Sequence, residues 1–291
     1  MHKKSCMRPE VKAAIKTIQN AGVDLTVRIP WAKRDITTFV KQAIKEGVTR
    51  IIAGGGDGTL SHVANRLLRK GRAAKVSLGV FPLGTANDFA RGAGVPRGNL
   101  AAALPLAATG AAIPIDIGEV NGRYFINVAS GGFGAEITAT TPQKLKKGLG
   151  GIAYTLVGLA RVFEFKPYQG AYIGPDGERD EGSMIVIAVG NNRFAGGGFE
   201  VAPRANLQDG LLDLAVLSAD ALPPVGPIGA ELEDPTNRDN KFLRYRQVPS
   251  FTIESDRPLH MNLDGEPVVD QHFKFKVHPG GLNVVLGNLT Q

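Results

Sequence analysis

The stretch Val48-Thr49-Arg50-Ile51-Ile52-Ala53-Gly54-Gly55-Gly56-Asp57-Gly58-Thr59 decides the fold. Val48–Ala53 is a short apolar run that reads as a buried strand, and it enters a glycine loop without a break. Leu60, Val63, Ala64, Leu67 and Leu68 follow at helical spacing, so strand, loop and helix succeed one another directly. Glycines without Cβ let a backbone close on a phosphate, and a helix N-terminus presents open N–H groups and the positive end of its dipole. Asp57 adds a carboxylate where a phosphate-bound magnesium needs an oxygen ligand. A tight turn with an Asp or Thr N-cap is the bland alternative, and three glycines plus Asp-Gly-Thr in this context favour the phosphate reading. The loop is neither a Walker A motif nor a dinucleotide fingerprint, since GxxxxGK[ST] and a strand-to-helix GxGxxG are both missing.

Upstream, Val11, Ala14, Ile15 and Ile18 predict a helix over 9–20, stopped at Gly22. Val23, Leu25, Val27 and Ile29 alternate as a strand, and 36–46 reads as a second helix closed by Gly47. Downstream, 75–81 reads as a strand that enters Pro82-Leu83-Gly84-Thr85-Ala86-Asn87-Asp88, where open α/β sheets collect ligands. Thr85, Asn87 and Asp88 are polar residues at the start of a further helix, more than capping alone requires. The alternation predicts a layered α/β domain with a mostly parallel sheet over residues 1–112.

Beyond residue 113 strand-like runs joined by Gly, Asn and Asp turns take over, at 124–129, 184–189, 211–217, 250–253 and 272–277. Asp176-Gly177 reads as a hairpin turn, and 142–163 as the one interrupting helix. The expectation is an all-β, sandwich-like second domain over 113–279, with a last strand within 280–291 returning to the first domain. Residues 219–247, with Pro223, Pro224, Pro227 and a highly charged run, are expected to form a mobile surface loop.

The composition narrows the function. With 34 Lys+Arg against 27 Asp+Glu among 291 residues the chain carries +7, and 43% hydrophobic residues suit a globular protein. The 37 glycines are about 13% of the chain, against roughly 7% in an average protein. One cysteine, Cys6, excludes a disulfide framework, and the five histidines have no ligand spacing for zinc. No apolar run is long enough to span a bilayer, and the N-terminus lacks the apolar core of a signal peptide, so the expected location is the cytoplasm. A basic pI near 9.5 admits anionic partners. Nucleic acid is disfavoured among them, because no aromatics are interleaved with the basic residues.

Two further segments carry polar chemistry. Asn262-Leu263-Asp264-Gly265-Glu266-Pro267 would place Asp264 and Glu266 on one face of a strand, and alone it reads as a polar hairpin. Asp209-Gly210-Leu211 is an ordinary turn sequence.

Taken together, GGGDGT, PLGTANDFA, GGFG at 131–134, QDGLL at 208–212 and NLDGEP resemble the bacterial lipid kinases of the diacylglycerol kinase catalytic-domain family, with order and spacing most similar to the YegS subgroup. The resemblance runs from about residue 21 to 282. GGDGT is shared with NAD kinases, and PLGTANDFA and LDGEP separate the two.

The resemblance implies ATP and Mg2+ in a cleft between a nucleotide-binding domain and a β-sandwich. It implies ATP contacts from Gly56, Asp57, Gly58, Thr59, Leu60, Ser61, His62 and Thr85, with Glu266 as proton acceptor. It also implies magnesium ligands at Asp209 and at the main-chain carbonyls of Asn206 and Leu211. The family begins with a strand and an Asn/Gly loop upstream of this chain's first residue. The expectation is therefore a start further upstream or a sheet lacking one strand. Pro30 stands where the nearest relatives have a nucleotide-contacting threonine.

The implied reaction is transfer of the ATP γ-phosphoryl group to a lipid hydroxyl at the inner face of the membrane, with no obligate protein partner. Diacylglycerol, phosphatidylglycerol, sphingoid and undecaprenol-like acceptors all stay open. A nucleotide- or lipid-binding sensor and an NAD-kinase-like phosphotransferase are the alternatives. Lys144, Lys146 and Lys147, ahead of the apolar 149–163 segment, are a candidate membrane contact, with a core-facing helix that has a solvated basic end as the favoured reading of the same pattern.

Overall fold

Helical periodicity sets the first layer. In a computed structural model, residues 3–69, 75–132, 166–218, 231 and 233–288 are described. A short helix α1 (Lys3–Cys6) leads to α2 (Pro9–Asn20), whose Val11, Ala14 and Ile18 are buried; Gly22, at φ +83°, turns the chain out of it. Helix α3 (Lys33–Lys45) begins three residues earlier than expected, because the Asp35 carboxylate accepts the N–H groups of Trp31 and Ala32. Strand β1 (Arg50–Gly55) runs through Gly56 into α4 (Asp57–Leu68), with Leu60, Val63, Ala64 and Leu67 buried as the spacing predicts. Strand β2 (Ser77–Pro82) pairs parallel to β1 along its length. Helices α5 (Asp88–Gly92) and α6 (Leu100–Thr109) follow, the latter capped by the Asn99 side chain on the Ala102 N–H.

The antiparallel half starts at β3 (Ala112–Val120) and β4 (Arg123–Phe125), followed by β5 (Val128–Gly132). It continues through β6 (Tyr168–Ile173), β7 (Arg179–Met184) and β8 (Val186–Gly190), and then a small hairpin, β9 (Phe194–Ala195) with β10 (Phe199–Glu200). It ends in β11 (Leu212–Leu217), β12 (Leu243–Val248), β13 (Ser250–Leu263) and β14 (Glu266–Val285). The main path is β1-β2-β14-β13-β5-β8-β11-β12. Strand β14 serves both halves: it pairs antiparallel with β13 and β3, and Val284 meets Leu78 of β2 in parallel. The expected architecture, an α/β layer followed by a β-sandwich-like half, is what the chain adopts. One core gathers Val40, Leu67, Leu78, Ile115 and Val284, and the other Tyr168, Ile187, Leu214, Phe251 and Phe275.

Several local expectations change. Residues 23–29 alternate in exposure but join no ladder among the described residues, so they are extended chain and not a sheet strand. The run at 124–129 is two strands, broken at Ile126–Asn127, whose N–H groups turn to the Asp264 carboxylate instead of a neighbouring strand. The run at 184–189 is also split, because Ile185 donates to Leu217 between β7 and β8. Residues 243–248 are a paired strand, not part of a loop. The Glu231 carboxylate takes the N–H groups of Lys241, Phe242 and Leu243 and starts that strand. The predicted helix at 142–163, its lysines, and Pro223, Pro224 and Pro227 lie outside the described residues.

Asp213 on β11 is fully buried, one oxygen taken by the Tyr245 hydroxyl and the other without a partner among the described residues. Burial pushes its carboxyl up to about 6 from an ordinary 3.8. A raised folded-state pKa means its favourable contribution is complete below about pH 3.8 and is lost as pH rises through 6. In chemical denaturation, wild type is expected to lose about 3 kcal/mol relative to Asp213→Asn between pH 3.8 and 7.5. A flat difference across that window would refute the assignment.

Candidate active site

Two loops at the carboxyl ends of β1 and β2 lie back to back. Leu83 donates its N–H to the Gly55 carbonyl, and a Cβ on Gly84 would sit 2.4 Å from the Gly56 Cα. Gly55 is equally constrained, since a Cβ there would fall 2.4 Å from the Thr59 hydroxyl. These glycines are therefore required by close approach before any ligand arrives. Gly56 is the N-cap of α4, and its carbonyl already accepts the Thr59 and Leu60 N–H groups. Gly58 differs: it is exposed, and a Cβ there meets nothing within 4 Å.

The predicted contact residues divide by geometry. Asp57 gives one oxygen to the Phe89 N–H at 3.0 Å, tying α4 to the second loop, and Thr85 is exposed beside it. Asn87 is buried in the left-handed region at φ 51°, its amide accepting from the Gly84 N–H and donating to the Gly84 carbonyl, so it shapes the loop from within. Asp88 is buried and accepts the Gly197 N–H at 2.8 Å; its other oxygen has no partner among the described residues. That contact anchors the β9–β10 turn, where Gly196, Gly197 and Gly198 all have positive φ. Leu60 packs in the core. His62 faces Thr37 of α3 at 3.4 Å; burial first, then the charges of Arg66 and Lys33, hold its imidazole below the usual range.

The hairpin that carries Glu266 reaches this region from the other half. Leu263 pairs with Glu266 across a two-residue turn in which Asp264 (φ 48°) and Gly265 (φ 96°) are both left-handed. Asp264 and Glu266 therefore do not share a face, because the turn sends them apart. The buried Asp264 carboxylate accepts N–H groups from Ile126, Asn127 and Val128, and the Ser61 side chain of α4 alongside favours its charged form, while burial pushes it up to about 6. Glu266 faces out, 58% exposed, with the Lys33 Nζ 2.6 Å away. Ser61 thus marks where the glycine-loop helix meets the hairpin that carries Glu266.

The predicted metal loop sits elsewhere on the scaffold. Asp209 accepts the Leu211 N–H at 3.0 Å, and Asn206 Oδ1 accepts from Gln208. Behind them buried Asp116 holds the Gly210 and Gly280 N–H groups. Burial, with Asp116 alongside, raises the Asp209 carboxyl. A cation would relieve that crowding, and one carboxylate with the Asn206 and Leu211 carbonyls is an all-oxygen set that suits a hard divalent ion. No hydrogen bond or ion pair among the described residues links Asp209 to Asp57 or Glu266, and no cluster of three or more His, Cys, Asp or Glu forms among them.

Comparison with known proteins places this arrangement. Residues 3–120 match the diacylglycerol kinase catalytic domain, and 127–286 the YegS C-terminal NAD kinase beta sandwich-like domain. A Pseudomonas aeruginosa protein described as "Probable lipid kinase YegS-like" is 44% identical over 98% of this chain and 92% of its own length. The chain belongs to the YegS-like lipid kinase family. A YegS-like relative in Klebsiella pneumoniae is 40% identical over 96% of this chain and 92% of its own. In fold, the chain is similar to a putative diacylglycerol kinase from Bacillus anthracis, with TM-score 0.73 and 24% identity over 99% of this chain and 91% of that one. It is also similar to yeast NADH kinase, with TM-score 0.53 and 11% identity over 100% and 83%.

Sequence reading missed Lys33, Asp116, Asn191 and the anchoring role of Asp264. A lone Asp in the apolar run Ile113–Ile117, and paired asparagines after the buried strand β8, were the available signals for the second and third.

Gly84→Ala and Gly58→Ala separate scaffold from ligand contact. Gly84→Ala is expected to part the loops and lower both melting temperature and nucleotide affinity. Gly58→Ala should leave the melting temperature unchanged or raised, since alanine suits a helix by about 1 kcal/mol, yet weaken nucleotide binding about tenfold or more if phosphate packs on that backbone. Unchanged nucleotide affinity in Gly58→Ala, measured by calorimetry, would remove the close approach at that position.

Proposed function

We propose that the chain is an ATP- and Mg2+-dependent lipid kinase that transfers the γ-phosphoryl group to a lipid hydroxyl, of a phosphatidylglycerol- or diacylglycerol-like acceptor. The observation that carries this reading is the place of Glu266: Lys33 of α3 reaches it at 2.6 Å, and α3 meets α4 at Thr37 and His62, so Glu266 lies to the side of the helix whose N-terminus opens the glycine loop. A phosphate at that N-terminus and a hydroxyl at Glu266 would be neighbours.

Phosphoryl transfer has a loose transition state, so positioning and charge neutralisation supply most of the catalysis. The N-terminus of α4 and the exposed Thr85 would cradle the nucleotide phosphates. Asp57 would hold a phosphate-bound magnesium, and Asp209 with the Asn206 and Leu211 carbonyls a second divalent ion; a bound ion supplies charge neutralisation. Glu266 accepts the hydroxyl proton as the new O–P bond forms, and the electron pair of the breaking P–O bond leaves with ADP. Lys33 occupies Glu266 in this structure. With the two side chains 76% and 58% exposed the pair contributes at most about 1 kcal/mol, so an incoming hydroxyl displaces it readily.

The acceptor would be met at a membrane surface. Trp31, 79% exposed, stands two residues before Lys33 and three before Arg34, an aromatic-and-basic run suited to the bilayer interface. No helix among the described residues is long and apolar enough to cross a membrane.

Transfer of labelled γ-phosphate from ATP into bacterial lipid extract, with magnesium, is the test. Wild type should label a lipid, and Glu266→Gln should lose about 100-fold or more of the rate with ATP affinity unchanged. An equally active Glu266→Gln variant would remove Glu266 from the role. Absence of lipid labelling by wild type with ATP bound would overturn the kinase reading in favour of a nucleotide-binding sensor.

A further inference from the structure

Lys33 is placed against the usual preference of a helix. It is the first residue of α3 and Arg34 the second, where the positive end of the helix dipole disfavours cations. Arg34 has Asp35 3.9 Å away within the same turn, and Asp35 also accepts the Trp31 and Ala32 N–H groups that open the helix. Lys33 pairs outside its turn: its partner, Glu266, lies 233 positions away in sequence and 2.6 Å away in space. Both side chains are more than half exposed, so the pair stabilises the fold little. A local rule broken without a compensating gain in stability is expected of functional positions.

The fold brings this ammonium to the phosphate end of the sheet. Helix α3 leads into β1 through residues 46–49, and α4 leaves β1 through Gly56 alone, so both helices run back along the same strand. Their N-termini therefore lie together at its carboxyl end. The Thr37–His62 contact at 3.4 Å fixes the level. Thr37 is about one helical turn after Lys33 and His62 about one turn after Gly58, so Lys33 stands beside the first turn of α4. The Cα–Cβ bonds of a helix tilt toward its N-terminus, which carries the Lys33 side chain off the end of α3 toward the loop. The charges of Lys33 and Glu266 both act on His62, as this placement requires.

The cradle itself carries no such charge. The stretches Gly54–Thr59 and Pro82–Asp88 hold glycines, hydroxyls, an amide and two carboxylates, and neither contains a lysine or an arginine. Phosphoryl transfer spreads negative charge over the equatorial oxygens, and loops of the Walker A kind supply a lysine for it from within. Here the lysine comes from α3. A hydroxyl that gives its proton to Glu266 lies about 3 Å from the carboxylate, and its oxygen about 3–3.5 Å from the phosphorus that it attacks. A cation 2.6 Å from that carboxylate reaches the phosphoryl oxygens by a change of side-chain rotamer.

We infer that Lys33 is a further catalytic residue, whose ammonium passes from Glu266 to the oxygens of the transferring phosphoryl group. This role rests on the lipid kinase reading and adds to it a residue of α3. The step balances: the hydroxyl O–H bond breaks as the new O–P bond forms, the proton goes to Glu266, and the electron pair of the old P–O bond leaves with ADP. Glu266 is neutral once it holds that proton, so Lys33 loses one anion as it gains another and keeps its own protons throughout. The contact is stronger in the transition state than in the ground state, which raises the rate without tightening ATP.

The experiment compares Lys33→Gln, Lys33→Arg and Lys41→Gln with wild type and Glu266→Gln. Lys41 is an exposed residue about two turns along α3 and controls for loss of charge alone. Transfer of labelled phosphate from ATP to bacterial lipid extract gives the rate, and thermal unfolding of the chain alone gives its stability. Calorimetry gives the affinity for magnesium-ADP with and without aluminium fluoride, which stands in for the phosphoryl group in flight. Lys33→Gln is expected to lose about 100-fold in kcat at every pH where wild type is active, and to bind the fluoride complex more weakly by a similar factor. Its affinity for ADP alone should be unchanged, and its melting temperature unchanged or higher, since a cation leaves the first turn of a helix. Lys33→Arg should recover part of the rate, and Lys41→Gln should match wild type. Labelling lost in Glu266→Gln but kept in Lys33→Gln would overturn the role of Lys33 and leave the kinase reading standing. A loss that higher pH restores would also overturn it, because such a lysine acts only by keeping Glu266 ionised. The same holds for a lowered melting temperature without rescue by arginine, or an equal loss in Lys41→Gln. No labelling by wild type with ADP bound would overturn the kinase reading, and the role of Lys33 with it.

Discussion

The buried carboxylate of Asp264 is the constraint on which the rest of the site depends. A carboxylate removed from water is costly unless donors surround it, and here three consecutive backbone N–H groups and Ser61 do so. The N–H groups of Ile126 and Asn127 lie between β4 and β5 and that of Val128 opens β5, so one side chain satisfies a break in the sheet and fixes the β13–β14 turn. The turn has no freedom left, because both of its residues are left-handed and the Gly265 N–H is held by Asn262 at 2.6 Å. Glu266 begins β14 at the position this bracing dictates.

The groups assigned to chemistry and the groups that hold them have opposite characters. Gly58, Thr85, Lys33 and Glu266 are exposed and loosely tied. Asn87, Asp88, Asn191 and Asn192 are buried and bond to backbone, with one oxygen each of Asp88 and Asn191 left without a partner among the described residues. This is the division expected of a preorganised site, in which fixed dipoles and loops are set by folding and the reacting groups stay accessible. Amide side chains suit the buried role because each can both donate and accept without carrying charge into the interior.

The legible parts of the molecule were those where the signal is local. The strand–glycine–helix run and the stripe of α2 are written in consecutive residues, and the structure places them as read. Residues 23–29 were misread because alternation shows that one face is half-buried, while ladder membership depends on a neighbour that the local sequence does not contain. Strand β12 was hidden by its charge: Arg244 and Arg246 lie in a strand because the ladder to β11 and the Glu231 carboxylate override composition. Asp264 and Asp116 looked like turn and strand residues, since a buried carboxylate is recognised by its donors, and those come from 94 to 164 positions away. The polar triplet at 85–88 was found, but its division into one exposed hydroxyl and two buried braces is a matter of tertiary packing.

The same long-range logic relates the metal loop to the joint between the two halves. Strand β14 is continuous through both cores, so relative motion of the halves must be absorbed where its pairing slips. One slip lies between His278 and Leu282, against β3. Asp116 sits at that slip, one oxygen on the Gly280 N–H and the other on the Gly210 N–H beside Asp209. Asn191 then connects the Asp116 carbonyl to that of Ile126, whose own N–H is held by Asp264. The chain of contacts from the Asp209 loop to the hairpin that carries Glu266 is thus made of backbone groups and buried side chains, with no solvated ion pair in it. Such links are short and stiff, whereas exposed pairs are weak. Asp209 is thus tied to the joint of β14 through Asp116, and Asn191 and Asp264 continue the same bracing to the turn that carries Glu266.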